Sequence, residues 1–88
     1  MNQKEEEALV TGIATAALLC AENLTSFIPD DGRAYDVALS GMVFGLARLI
    51  DAGAALGGDR EEITRIALKG VIDNLNSIPL PSEDVGLN

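Results

Sequence analysis

Apolar side chains occupy two opposite sides of the segment between Ala34 and Leu56, which the pattern predicts to be one helix. Val37 and Phe44 form the smaller, far side. A helix with one apolar stripe lies on a core, whereas a helix with two has to be sandwiched between neighbours. Since a chain of 88 residues supplies few neighbours, we expect a second subunit to complete the sandwich. The larger side consists of Tyr35, Leu39, Met42, Val43, Leu46, Leu49 and Ile50.

The same periodicity predicts two further helices, at about residues 5–27 and 60–77, flanking a central helix at about 33–56. We expect their apolar positions to form the core. In the first helix these positions are Leu9, Ile13, Ala16, Ala17, Cys20, Leu24 and Phe27. In the third helix they are Ile63, Ile66, Ala67, Val71, Leu75 and Ile78, and Leu68 and Ile72 widen this apolar arc beyond what a hairpin alone needs.

A short turn joins the first two predicted helices. Pro29 disfavours a helical conformation at Ile28, so the first helix should end there. Asp30 or Asp31 can cap the second helix by accepting hydrogen bonds from backbone N–H groups. A connection this short predicts that the two helices form an antiparallel hairpin.

Glycines mark the end of the second helix. Gly57 and Gly58 are a helix stop signal, and Asp59 followed by Glu62 resembles a capping box for the third helix. The predicted fold is therefore all-α, a three-helix bundle built on an antiparallel hairpin and expected to be dimeric. Residues 1–78 form the predicted domain, and residues 79–88, with two prolines, form a predicted extended, disordered tail.

The chain offers little material for catalysis. It has no histidine and one cysteine, which removes the commonest general base and zinc sites of the Cys/His type. Cys20 lies between leucines and alanine, and we expect it to be buried and inert. Most acids sit where helices begin, where capping explains them. We therefore expect no enzyme activity, no catalytic, cofactor-binding or metal-binding residues, and no cofactor.

The apolar segments do not predict a membrane protein. Three consecutive acids near the start contradict the positive start of a signal peptide. The run 8–21 is short for a bilayer, and the run 34–56 contains Arg48 and Asp51. We expect a soluble cytoplasmic protein without membrane contact.

Two glycines in the central helix, Gly41 and Gly45, make a G-x-x-x-G pattern on a side rich in alanine. Bare backbone lets another helix come close. That helix could belong to the same chain or to a partner, and the sequence favours neither. The candidate interface residues are Val37, Gly41, Phe44, Gly45, Leu68 and Ile72.

The charge is strongly acidic, with 14 acids against 6 bases and a net charge of −8. A hairpin gathers these acids at two ends, separated by roughly 35 Å. Such ends favour a protein partner with a basic patch and disfavour direct nucleic-acid binding. The candidate partner-binding acids are Glu5, Glu6, Glu7, Asp30, Asp31 and Asp36.

Residues 5–54 resemble short helical-hairpin proteins of pseudomonads. The shared features are an acidic start, an Ala/Leu-rich first helix ending near Ala21-Glu22-Asn23-Leu24, a polar turn, and a second helix rich in small residues like 38–52. The resemblance implies a helical hairpin. It implies no activity, because none is established for that group.

These features together predict a small acidic binding protein that is not an enzyme and acts through protein–protein interaction. Its partners are itself, as a homodimer, and another protein. By analogy with small acidic helical proteins of phages and mobile elements, we expect an inhibitor of a host defence protein. One alternative is a nucleic-acid mimic that competes for a basic groove. Another is a structural subunit of a larger assembly.

Overall fold

A computed structural model describes residues 1–78, and they form three helices. Helix α1 spans Gln3–Thr25, α2 spans Asp31–Ala55 and α3 spans Arg60–Ser77. Helix accounts for 85% of the described part, which contains no strand. The prediction of an all-α, three-helix fold is confirmed. The predicted tail at 79–88 lies outside the described residues.

Helix α1 begins two residues before its predicted start because of Asn2. The Asn2 side-chain oxygen accepts a hydrogen bond from the Glu5 backbone N–H at 2.9 Å. In return, the Asn2 amide donates to the Glu5 carboxylate at 3.0 Å. This reciprocal pair satisfies a backbone donor that the helix leaves free and fixes where α1 begins. At the other end, α1 stops at Thr25, ahead of Pro29 as predicted.

Asp30 caps α2, as one of the two predicted alternatives. Its carboxylate accepts a hydrogen bond from the Arg33 backbone N–H at 3.2 Å, and its carbonyl accepts from Ala34 N–H at 2.9 Å. Asp31 is the first helical residue, where its negative charge suits the N-terminal end of the helix dipole.

The end of α2 needs both glycines of the predicted stop. Gly57 has a φ of 106°, the left-handed conformation that glycine adopts without a Cβ clash. The Gly58 N–H donates to the Gly53 carbonyl at 3.1 Å and the Gly57 N–H to the Ala54 carbonyl at 3.0 Å, which is the Schellman pattern. A Cβ on Gly58 would lie 2.7 Å from Ile63 Cδ1. The chain therefore needs conformational freedom at Gly57 and space at Gly58.

Helix α3 occupies the predicted range. Asp59 caps it by accepting from the Glu61 N–H at 3.0 Å. The Glu62 carboxylate, expected to complete a capping box, instead accepts two hydrogen bonds from Arg65, at 2.5 and 3.1 Å. The Asp59 part of the prediction is confirmed, while Glu62 joins an ion pair one turn further along α3.

The chain divides into two compact units, Met1–Ala47 and a second unit that begins at Arg48. In the first unit, side chains from the later part of α1 and the early part of α2 line a common groove, as the predicted hairpin requires. Most of the residues that are least exposed in this unit are small, and Ile28 and Leu46 are the two larger ones. The half-buried positions are Ala17, Ala21, Thr25, Ile28, Ala34, Ala38 and Leu46.

In the second unit, the last turns of α2 meet α3 at a glycine. Ile63 of α3 lies close to Gly53, since a Cβ on that glycine would be 3.1 Å from Ile63 Cδ1. Arg60 and Asp51 form an ion pair between α3 and α2. The half-buried positions here are Ile50, Gly53, Ala54, Ile63, Thr64, Ala67 and Gly70.

No residue among 1–78 is buried in the single chain. The prediction that the apolar stripes form an enclosed core is therefore wrong for one copy. Ile13 of α1 is 69% exposed and Leu75 of α3 is 61% exposed. The physical reason is that mostly small side chains meet between the helices, so most of the larger apolar side chains lie on the surface.

Candidate interaction surfaces

The first surface is a groove between α1 and α2, of about 400 Å³. We call it the α1–α2 groove. Its one hydroxyl, on Thr25, donates to the Ala21 carbonyl at 2.7 Å, so it is satisfied within the helix. The groove therefore presents an apolar surface without a side-chain group suited to orient a polar substrate. It is lined by Ala17, Cys20, Ala21, Leu24, Thr25, Val37, Ala38, Gly41 and Met42.

Cys20 is exposed in this groove and forms no disulfide. The expectation of a buried cysteine is thus wrong. The leucines and alanines beside Cys20 in sequence suggested a core position, but the groove is not covered in the single chain. Burial of this thiol would need another molecule.

The second surface is on α2, roughly opposite the groove. A shallow depression of about 480 Å³ is lined by α2 alone. At 100° per residue, its positions face away from Ala38 and Gly41, which line the groove. We call this surface the α2 outer face. It consists of Leu39, Ser40, Val43, Phe44 and Ala47.

Helix α2 therefore has two apolar sides, as expected, but their membership differs from the prediction. Val37, predicted on the far side with Phe44, lines the α1–α2 groove. Leu39 and Val43, predicted on the side that packs on a core, are 50% and 58% exposed. Small side chains decide which side faces α1, because they let a neighbouring helix approach where branched side chains would hold it away.

The predicted interface residues are all accessible. Val37 is 46% exposed and Phe44 65%, while Leu68 and Ile72 of α3 are 54% and 56% exposed. Gly41 and Gly45 are exposed as well. A Cβ on either glycine would meet no atom of the described chain within 4 Å, apart from the backbone of α2 nearby. Within the first unit, a tight crossing with α1 is therefore not formed at these glycines.

The predicted acidic residues are exposed, and some have local roles. Glu5 is engaged by Asn2, and Glu7 accepts a hydrogen bond from Gln3 at 3.3 Å. Asp30 caps α2. Helix α1, 23 residues long, separates the two acidic groups, Glu5–Glu7 and Asp30–Asp36, by roughly 34 Å along its axis.

Ion pairs in the second unit explain several of the charged side chains there. Lys69 pairs with Asp73 at 2.7 Å, one turn along α3. The hydrogen bond from Arg65 lowers the pKa of Glu62 and correspondingly raises the pKa of Arg65. These are pairs on an exposed helix surface, and the described residues contain no cluster of acids, cysteines or histidines arranged to hold a metal ion.

Two of the helices are long and apolar enough to cross a membrane, judged by length and composition alone. They are α1, with a mean hydropathy of 1.4, and α2, with 1.5. The expectation that α1 is too short was based on the run 8–21, whereas the helix itself has 23 residues. Core helices of soluble proteins pass the same test but are mostly buried, whereas neither of these stretches is buried in this chain. The cytoplasmic location stays a prediction.

The sequence did not reveal which apolar side chains share a surface. The α1 side of the groove could have been found from the spacing of Ala17, Ala21 and Thr25, which repeats every four residues. The spacing of residues does not reveal the α2 outer face in the same way, because Leu39 and Val43 also belong to the larger apolar side predicted for α2. Comparison with protein families, curated proteins and solved structures found no match for this chain.

Proposed function

We propose that this protein is not an enzyme and acts by binding other proteins, the first of which is a second copy of itself. The observation that carries the proposal is the absence of any buried residue among 1–78. A soluble fold depends on removing apolar surface from water. Large apolar side chains are exposed on all three helices of the described part, and we infer that a partner covers them.

The spacing of charges favours a protein partner over a lipid bilayer. In α1 the uncharged stretch is 8–21, and in α2 it is 37–47. At 1.5 Å per residue, these stretches are about 21 and 16 Å long, whereas the hydrocarbon core of a bilayer is about 30 Å thick. Spanning it would bring Glu22, Asp36 or Arg48 into the lipid, at a cost of several kcal/mol.

A second partner is a protein with a basic patch, which would engage the exposed acids at the ends of α1. Small size, acidity and the lack of catalytic groups suit an inhibitor that occupies a surface on a host protein. The mimic of nucleic acid has less support, because Glu5 and Asp30 are engaged in helix caps. The same exposed apolar area supports the alternative that this protein is a structural subunit of a larger assembly. In that case the partner would be a chain of another sequence and not a second copy.

Measurement of mass in solution tests the proposal. At micromolar concentration with reductant present, we expect light scattering to give about 18 kDa, twice the 9.2 kDa of one chain. A helical species of one chain's mass would contradict self-association. Flotation with neutral phosphatidylcholine vesicles is the control, since a protein that moves with the vesicles would support a membrane role instead.

A further inference from the structure

We propose that the α1–α2 groove binds an amphipathic helix of a partner protein, with basic side chains at both ends of that helix's apolar stripe. This inference rests on the proposed function, in which a protein with a basic patch is the second partner. It names the segment that the partner contributes and the surface of this chain that receives it.

The floor of the groove is made of small residues. Ala17 and Ala21 of α1 and Ala38 and Gly41 of α2 all line it. A Cβ on Gly41 would meet no described atom within 4 Å apart from the nearby backbone of α2, so the space beside it is open. Small residues let the backbone of another helix come close. The groove can therefore receive a third helix between α1 and α2.

The groove offers no side-chain hydrogen bond to an extended peptide. Its one hydroxyl, on Thr25, already donates to the Ala21 carbonyl at 2.7 Å. An extended segment lying here would bury backbone N–H and C=O groups without partners, which is unfavourable. A helix satisfies its own backbone and presents side chains alone, as amphipathic helices do when they bind apolar grooves.

Acidic residues lie on the groove side of both helices. Glu6 precedes Ala17 by eleven residues, which places the two within about 20° of each other around α1. Asp31 precedes Ala38 by seven residues, which again gives a difference of about 20° around α2. Neither carboxylate forms an ion pair within residues 1–78. Glu6 lies toward the start of α1 and Asp31 lies at the turn, so each end of the groove side has one acid.

The bases of this unit do not offset these acids. Lys4 and Arg33 are the two bases among residues 1–47, and each lies about 140° around its helix from Ala17 or Ala38. The groove side is thus uncharged in the centre and negative at both ends. Charge complementarity calls for a segment with a positive charge at each end. About 18–20 helical residues, roughly 27–30 Å long, would reach from one end to the other.

Charge disfavours this chain itself as the occupant of the groove. Helices α1, α2 and α3 each have acids in the first turn and no base in the last turn. Residues 79–88 contain two acids and no base. A second copy, or the end of the same chain, would bring acids and no base to Glu6 or Asp31. The proposed self-association therefore uses other apolar surface.

Fluorescence anisotropy with a labelled peptide tests the groove, with reductant present. The probe has about 18 residues, a stripe of leucine and alanine at helical spacing, glutamine elsewhere and lysines at both ends. We expect it to bind with a dissociation constant in the micromolar range. The same peptide with glutamate in place of lysine should bind at least about tenfold more weakly. No binding, or equal binding of the two peptides, would overturn the proposal.

Two glycines give a matched pair of variants that locate the bound peptide. Gly41 lines the groove, whereas Gly12 lies on another side of α1. Both are exposed and helical, and a Cβ on either would meet no described atom within 4 Å beyond its own helix backbone. Gly41→Leu fills the groove and should weaken binding at least about 30-fold, while Gly12→Leu should change it by less than about twofold. Both changes favour helix, so both variants should fold. Equal weakening would contradict binding in the groove.

Two acids of α2 test the charge. Asp31→Asn should weaken binding of the lysine peptide about three- to fivefold, the effect of losing one exposed ion pair. Asp36→Asn is the control, because Asp36 lies about 160° around α2 from Ala38, and a larger effect there would contradict the proposed position. Mass in solution separates the two proposals. A dimer that does not bind the peptide contradicts the groove alone, whereas a monomer that binds it contradicts self-association alone.

Discussion

Different kinds of contact occur within the two units, Met1–Ala47 and the one that begins at Arg48. The second contains the glycine turn and ion pairs such as Asp51–Arg60, and these contacts are complete within one chain. The first contains the two uncharged stretches and both apolar surfaces, which are not covered. Local polar contacts therefore fix the turn between α2 and α3 in the second unit, whereas the first unit has two apolar surfaces that a partner could bind; apolar side chains of α3 are exposed as well.

The concentration dependence of unfolding should show the largest effect of this difference. If a second copy covers the first unit, raising the concentration a hundredfold stabilises the folded dimer by about 2.7 kcal/mol. The midpoint of thermal unfolding, followed by circular dichroism, should then rise by about 5–10 °C. A midpoint that does not change with concentration would mean that the first unit is stable alone, and the comparison would fail.

Replacing glycines in the second unit should show an intermediate effect. Gly57→Ala forces a Cβ into a left-handed conformation and should lower the free energy of unfolding by about 1–2 kcal/mol. Gly70→Ala is the control, because it lies within α3 and its Cβ would meet no described atom within 4 Å. That change should stabilise the protein by up to about 1 kcal/mol. Urea unfolding measures both, and equal destabilisation would contradict the turn geometry.

These results also show what the sequence could predict. Asp30, Gly57 and Asp59 act on the backbone within a few residues, so their roles were correctly predicted, as were the bounds of α3. Asn2 acts in the same way, and its standard capping position before Gln3 could have been recognised.

The surfaces were harder to predict. Periodicity shows that a side chain is apolar and on which side of its helix it lies, but not which molecule covers it. Val37 was assigned to the wrong surface because the position of α1 depends on the small residues Ala34 and Ala38, and not on the longest apolar stripe. Cys20 was assigned to a core that one chain does not form.

The smallest expected effect is a change in the pKa of Glu62, which pairs with Arg65. Because the hydrogen bond from Arg65 lowers the pKa of Glu62 below its usual 4.5, the pair contributes fully above that value and loses its contribution as the pH falls through the lowered pKa. Arg65→Met should return the pKa of Glu62 toward 4.5. Carboxyl-carbon NMR titration measures it. Lys69→Met, which removes the partner of Asp73, should leave the Glu62 titration nearly unchanged.

The accessible thiol of Cys20 affects any measurement of the molecular mass of this protein in solution. Two chains joined by an accidental disulfide have the same mass as two chains held together by packing alone. Air oxidation during purification would therefore give a covalent dimer with the same mass as the proposed non-covalent dimer. A preparation kept reduced, or one carrying serine at position 20, separates the two origins before any mass is interpreted.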